Sequence, residues 1–210
     1  YMVIHNLDTY AYINNYVLIL ANVVVFLLCL SLIGISLHVI AKRDKGLFNS
    51  AYKDELTGLY NRRAYEESLD RIRKEVPGEK MMVVVIFDVN GLKEVNDKLG
   101  HAAGDELLRG AASTIRSVYG NYGKCYRTGG DEFVVILEEP VEKLSVLNEN
   151  FEKVVAKWHG KRVAELNVSY GAALSEEVCS IDEQIILADQ RMYFAKKAYY
   201  QRIGKDRRSY

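Results

Sequence analysis

At 210 residues, 49% of them apolar, the chain can hold one domain of ordinary size and something smaller. Its 28 Lys and Arg balance 28 Asp and Glu, which excludes a broad nucleic-acid footprint and makes any anion site local. Cys29, Cys125 and Cys179 are scattered, odd in number and without metal-ligand spacing; the reading is three buried free thiols rather than a disulfide framework or a metal knuckle.

In chain order, residues 1–16 are polar and tyrosine-rich, and read as a short extracytoplasmic segment or as the tail of a sensor domain. From Val17 to Ile40 there is no Asp, Glu, Lys or Arg. At 1.5 Å per residue that run spans roughly 36 Å, enough to cross a hydrocarbon core of about 30 Å, and it is too long for a signal-peptide apolar region. It is expected to be a single transmembrane helix over residues 17–40. Lys42, Arg43 and Lys45 follow directly, which orients what comes after toward the cytoplasm and predicts location in the inner (cytoplasmic) membrane. Residues 41–53 read as a charged linker, helical because no Pro interrupts it.

The remainder alternates helical and strand patterns. A turn at Thr57–Gly58 precedes a helix over 61–76 that Pro77–Gly78 should end. "MMVVVIFDV" is a continuous apolar run, the pattern of a strand buried on both faces, with Asp88 at its outgoing end. A short helix over 92–99 stops at Gly100, and a longer one runs over 105–119. Two strands, 124–128 and 131–137, flank Gly129–Gly130, which predicts a tight two-residue hairpin with both glycines at φ > 0. After Pro140 the spacing is helical to Trp158; "RVAELNVSYGAAL" reads as one or two strands, and 181–200 as a final helix. This alternation defines an α/β domain with a central sheet flanked by helices.

Asp88 at a strand end, with Asp131 and Glu132 just past a glycine turn, could meet at one sheet edge. Hard oxygen ligands suit Mg²⁺, which nucleotide sites hold with one or two carboxylates plus substrate phosphates.

"GGDEF" at 129–133 resembles the signature of the diguanylate cyclase (GGDEF) family. The likeness extends to "DELTGLYNRR" at 54–63, to "FDVNGLKEVNDKLGHAAGDELL" at 87–108, and to "NVSYGAA" and "ADQRMYFAKK" near the end, so that it covers residues 50–200 and assigns 54–205 to the domain. The fold it implies is a palm-like, mainly antiparallel sheet flanked by helices and related to adenylyl cyclases. It implies that Asp88 and Asp131 bind Mg²⁺ or Mn²⁺ with the Val89 carbonyl. Glu132 either ligates metal or takes the 3′-hydroxyl proton. It also implies that Lys93 and Lys196 contact phosphates, that Gly129 and Gly130 let the polyphosphate approach the backbone, and that Asn96 and Asp105 read guanine. Asp105 is equally suited to capping a helix N-terminus. His101 reads as a structural hydrogen-bonder, and Arg127 as a salt-bridge or packing residue.

Two departures stand out. The family's inhibitory Arg-x-x-Asp would fall on positions 120 and 123, which are Gly120 and Gly123, so product feedback there should be absent. Four residues past Lys196, where the family offers a phosphate-binding arginine, stands Tyr200; Arg202 or Lys205 is the expected substitute. The activity implied is condensation of two GTP into cyclic di-GMP plus two pyrophosphates by a homodimer, each domain supplying half of the site. The alternative is a catalytically silent GTP-binding domain that signals through protein partners.

Overall fold

The structure is a computed structural model that describes residues 2–74, 81–138 and 143–204, with side chains over 14–39, 51–74, 81–138 and 143–204. The chain divides into two compact units, residues 1–49 and 50–210. Helix α1 runs from Met2 to Tyr52, so the predicted linker is helical to Tyr52. Its apolar stretch Asn14–Val39, 26 residues, presents its side chains outward, the composition of a helix that could cross a bilayer.

In the second unit, Asp54 accepts hydrogen bonds from the Thr57 N–H and hydroxyl at 2.9 and 2.6 Å and shapes the turn before α2 (Arg62–Ile72). Asn61 caps α2 by accepting from the Ala64 N–H, which explains a helix start there. The predicted Pro77–Gly78 stop lies outside the described residues. The sheet order is β2-β3-β1-β4, all antiparallel: β1 Val83–Val89, β2 Gly123–Arg127, β3 Glu132–Leu137 and β4 Val168–Leu174. The 162–174 segment thus yields one strand.

The unbroken apolar run of β1 lies at the centre of the sheet, and every one of its residues is buried. Its odd positions (Val83, Val85, Phe87 and Val89) join the core formed with α4 (His101–Tyr119) and α5 (Leu144–Lys157), where Phe87, Tyr119, Phe151 and Tyr170 stack in tilted and edge-on pairs. Its even positions Val84 and Ile86 join the opposite core, with α2 and α6 (Ile181–Arg202). Asp88 is the next even position, so it leaves the sheet on the α6 face. On that face Gly171 of β4 lets α6 come close, since a Cβ there would press into the backbone of Ala188 and Met192.

Three expectations are corrected. Gly129 and Gly130 do not take the left-handed backbone, because the connection from β2 to β3 is four residues, 128–131, rather than two; the longer loop turns without positive φ. Helix α4 begins at His101, not at 105, so Asp105 lies in its second turn and caps nothing; Gly100 holds the cap position. Of the cysteines only Cys125 is buried; Cys29 lies on the outward surface of α1, and Cys179 precedes α6 where little covers it.

Candidate active site

The site forms where β1, the 128–131 loop, α3 (Leu92–Leu99) and α6 meet. Asp88 is the cross-strand partner of Glu132, so both side chains leave the same sheet face. Asp131 is tied in by its carbonyl, which accepts the Val89 N–H at 3.1 Å. The Asp88 side chain is 7% exposed; its Oδ2 accepts a 2.6 Å bond from the Lys196 ammonium, and its Oδ1 is buried without a partner. Burial pushes its carboxyl above the ordinary Asp range, the Lys196 ammonium pulls against that, and Asp131 and Glu132 add to the rise. Glu132 is exposed at the head of β3 and lies against Gly129, where a Cβ would come within 2.7 Å of its Oε2.

A cavity of about 250 Å³ opens beside these acids, lined among others by Gly91, Lys93, Asp131, Lys196 and Tyr200. Its lining is of mixed charge: Lys93, Lys196 and the start of α3 can meet phosphate oxygens, and Asp131 and Glu94 line it too, which suits an anion that arrives with a cation. Gly91 sits at φ 74° at the head of α3 and donates its N–H to the Tyr200 hydroxyl at 3.3 Å. Tyr200 thus lines the cavity from the position that the resemblance gives to a phosphate-binding arginine. Arg202 does not substitute for it: it lies over the Tyr199 ring and lines a separate cleft beside Arg191, while Lys205 lies outside the described residues.

Asn96, in the last turn of α3, sits against Gly104 of α4, where a methyl group would overlap its amide. Asp105 follows at once, half exposed and 3.4 Å from Arg109. These two residues are neighbours across α3 and α4 but do not line the cavity, so the candidate base-reading pair and the candidate phosphate end occupy different places. His101 opens α4 at the surface.

Sequence reasoning left Arg127 open between salt bridge and packing, and it is a strut. Its guanidinium grips both Asp54 oxygens at 3.1 and 3.2 Å and donates to the Gly130 carbonyl at 2.7 Å, joining the turn before α2 to the loop that carries Asp131. Two partners 73 residues apart leave no local signal for this. Among the described residues, no three His, Cys, Asp or Glu side chains close into a ready cation cage. The donor set nevertheless fits a hard cation: the orphaned Asp88 Oδ1 sits beside Asp131 and Glu132, and a site of this kind is completed by substrate oxygens.

Comparison with known proteins gives the family. The family described as "Diguanylate cyclase, GGDEF domain" matches residues 51–202. The chain is 36% identical over 159 residues to the probable diguanylate cyclase DgcI of Escherichia coli, covering 74% of this chain and 34% of that one. It is 32% identical over 160 residues to the diguanylate cyclase DgcN of the same organism, covering 73% and 39%. In three dimensions it resembles the coiled coil and GGDEF domain of DgcB from Caulobacter crescentus in complex with c-di-GMP, with TM-score 0.69, 26% identity, and coverage of 78% of this chain and 90% of that one. The chain belongs to the diguanylate cyclase GGDEF-domain family. It spans between about a third and two fifths of the length of the two curated relatives named.

Proposed function

We propose that this chain is a diguanylate cyclase, condensing two GTP into one cyclic di-GMP with release of two pyrophosphates. The observation that carries the reading is the gathering of Asp88, Asp131 and Glu132 at one end of the sheet, beside a cavity that two lysines line. Asp88, Asp131 and the Val89 carbonyl, with Glu132 beside them, would hold Mg²⁺ or Mn²⁺, which when bound supplies charge neutralisation at the phosphates. Lys93 and Lys196 bind and orient the triphosphate, and Tyr200 adds a neutral hydroxyl where a guanidinium would add a charge. Gly129 and Gly130 leave the loop backbone open to the polyphosphate. Asn96 and Asp105 read the base: a carboxylate accepts two parallel hydrogen bonds from the N1–H and 2-amino groups of guanine, which adenine cannot offer, and a site left unpaired rejects the wrong base strongly. Glu132, exposed beside Asp88, takes the proton from the attacking 3′-hydroxyl.

One domain presents one such site, so two GTP meet when two domains face each other around a two-fold axis and each 3′-hydroxyl attacks the α-phosphorus of the other nucleotide. Residues 17–40 anchor the chain in the inner membrane, with residues 1–16 outside and the domain over 54–205 in the cytoplasm. Anchoring raises the effective concentration of the two domains. Product feedback through an Arg-x-x-Asp pair is absent, since Gly120 and Gly123 stand in its place and a Cβ at 123 would collide with the Ile136 carbonyl.

The test is the full chain in lipid nanodiscs, given GTP and Mg²⁺, with products separated by chromatography. Cyclic di-GMP and pyrophosphate are expected, falling to background in Asp131→Ala. A folded chain that binds GTP and makes no product would instead establish the silent receptor.

A further inference from the structure

The carboxylate of Asp88 is nearly sealed from water and has one partner. An ionised acid at that depth costs free energy unless a counter-charge sits on it, and the Lys196 ammonium, itself 17% exposed, fills that role at 2.6 Å. The same ammonium lines the neighbouring cavity with Lys93 and Tyr200. One ammonium cannot fully serve a buried carboxylate and a polyphosphate at once. A cation that binds Asp88 through the free Oδ1 meets the Lys196 ammonium on Oδ2 and competes with it for the same negative charge, and whatever anion enters the cavity offers Lys196 somewhere to go. One turn further along α6, Tyr200 is parked in the same manner on the Gly91 N–H. The helix thus turns two polar groups onto the protein itself.

We propose that Lys196 is an exchangeable counter-ion. In the empty site it occupies Asp88 and holds bare divalent cations off, and it moves to the polyphosphate when cation and nucleotide arrive together. Cation and nucleotide then bind as one unit, neither well alone. The inference rests on the cation-dependent nucleotide site proposed above. It adds a role for a lysine that would otherwise serve only as a phosphate contact. It also accounts for the buried, unpartnered Asp88 Oδ1, which lies ready as a second oxygen once the ammonium leaves.

The test uses the full chain in nanodiscs at pH 8, with Mn²⁺ titrated alone and free Mn²⁺ followed by electron paramagnetic resonance. Lys196→Met, and Lys196→Gln, which keeps a hydrogen-bond donor to Asp88, are expected to bind Mn²⁺ alone about tenfold or more tightly than the parent chain, because a positive charge beside the site is gone. Both should bind a GTP analogue with a non-cleavable α–β bridge more weakly. Lys196→Arg, which keeps the charge, should stay near the parent for Mn²⁺. Thermal unfolding by circular dichroism identifies the variants that are folded. Unchanged or weaker Mn²⁺ binding in the folded Met and Gln variants overturns the proposal, as does tightening in Lys196→Arg equal to that in Lys196→Met. If the parent chain binds no Mn²⁺ even with the analogue present, the cation reading of the whole site falls too; if it does bind, a failure in the variants belongs to this proposal alone.

Discussion

A single methyl group separates two behaviours at position 104. In Gly104→Ala the new Cβ would overlap the amide of Asn96, the movable end of a side chain, so the fold should lose no more than about 1 kcal/mol while Asn96 is pushed off its position. The expected result is a KM for GTP raised about tenfold and a weaker preference for GTP over ATP, measured by steady-state kinetics with both nucleotides. At position 200 the change runs the other way. Tyr200→Arg restores a charge-assisted phosphate contact, roughly twice as strong as a neutral one, and should lower the KM for GTP severalfold. The acids and the two lysines that the structure gathers at the cavity were legible as residues, whereas Asn96 and Asp105, candidates for reading the base, lie away from it. What Tyr200 touches was not legible, because its bond to the Gly91 N–H depends on how α6 is laid across a distant turn. The geometry of Gly129–Gly130 was misread for a related reason: two glycines announce a tight turn, yet loop length decides whether positive φ is needed.

The strut from Asp54 through Arg127 to the Gly130 carbonyl joins two elements that the sequence shows only separately. Arg127 is 14% exposed at its side chain, so Arg127→Ala should destabilise the domain by about 2 kcal/mol, lowering Tm by roughly 4–8 °C, and should loosen the loop that holds Asp131. For Asp54, burial alone would raise the carboxyl, but the Thr57 hydroxyl and N–H and the Arg127 guanidinium outweigh it and hold it below the ordinary value of 3.8. A folded-state value below the unfolded one means that the native state sheds its proton more readily. The stability gained is therefore complete above the ordinary value and disappears as pH falls through the folded one. Urea unfolding of Asp54→Asn and the parent chain across pH 3–7 should show a gap that is constant near neutrality and narrows as the pH drops past 3.8. Strands and most helices were readable from periodicity and end signals. The start of α4 was not: Asp105 looks like a first-turn acid or cap, whereas the helix already begins at His101 and passes through Gly104, whose missing side chain leaves room for Asn96.

For the molecule as a whole, the outward apolar stretch Asn14–Val39 is about 39 Å long as a helix and has no counterpart in a folded core. The full chain should remain in the membrane pellet through alkaline carbonate extraction, and a chain lacking residues 1–40 should not. That shorter chain is expected to make cyclic di-GMP slowly and in a concentration-dependent way, and to recover when fused to a constitutive dimeriser. The tight seat of α6 on β4 at Gly171 has a further consequence for the newborn chain. Asp88 and Asp131 leave the ribosome well before Lys196, so an emerging domain carries its acids without the ammonium that covers Asp88. Only when α6 has been translated and docked is Asp88 shielded and the cavity given its wall. A nascent chain therefore carries its candidate site in an incomplete form until the last helix of the domain is docked, and only copies with α6 in place have the whole of it.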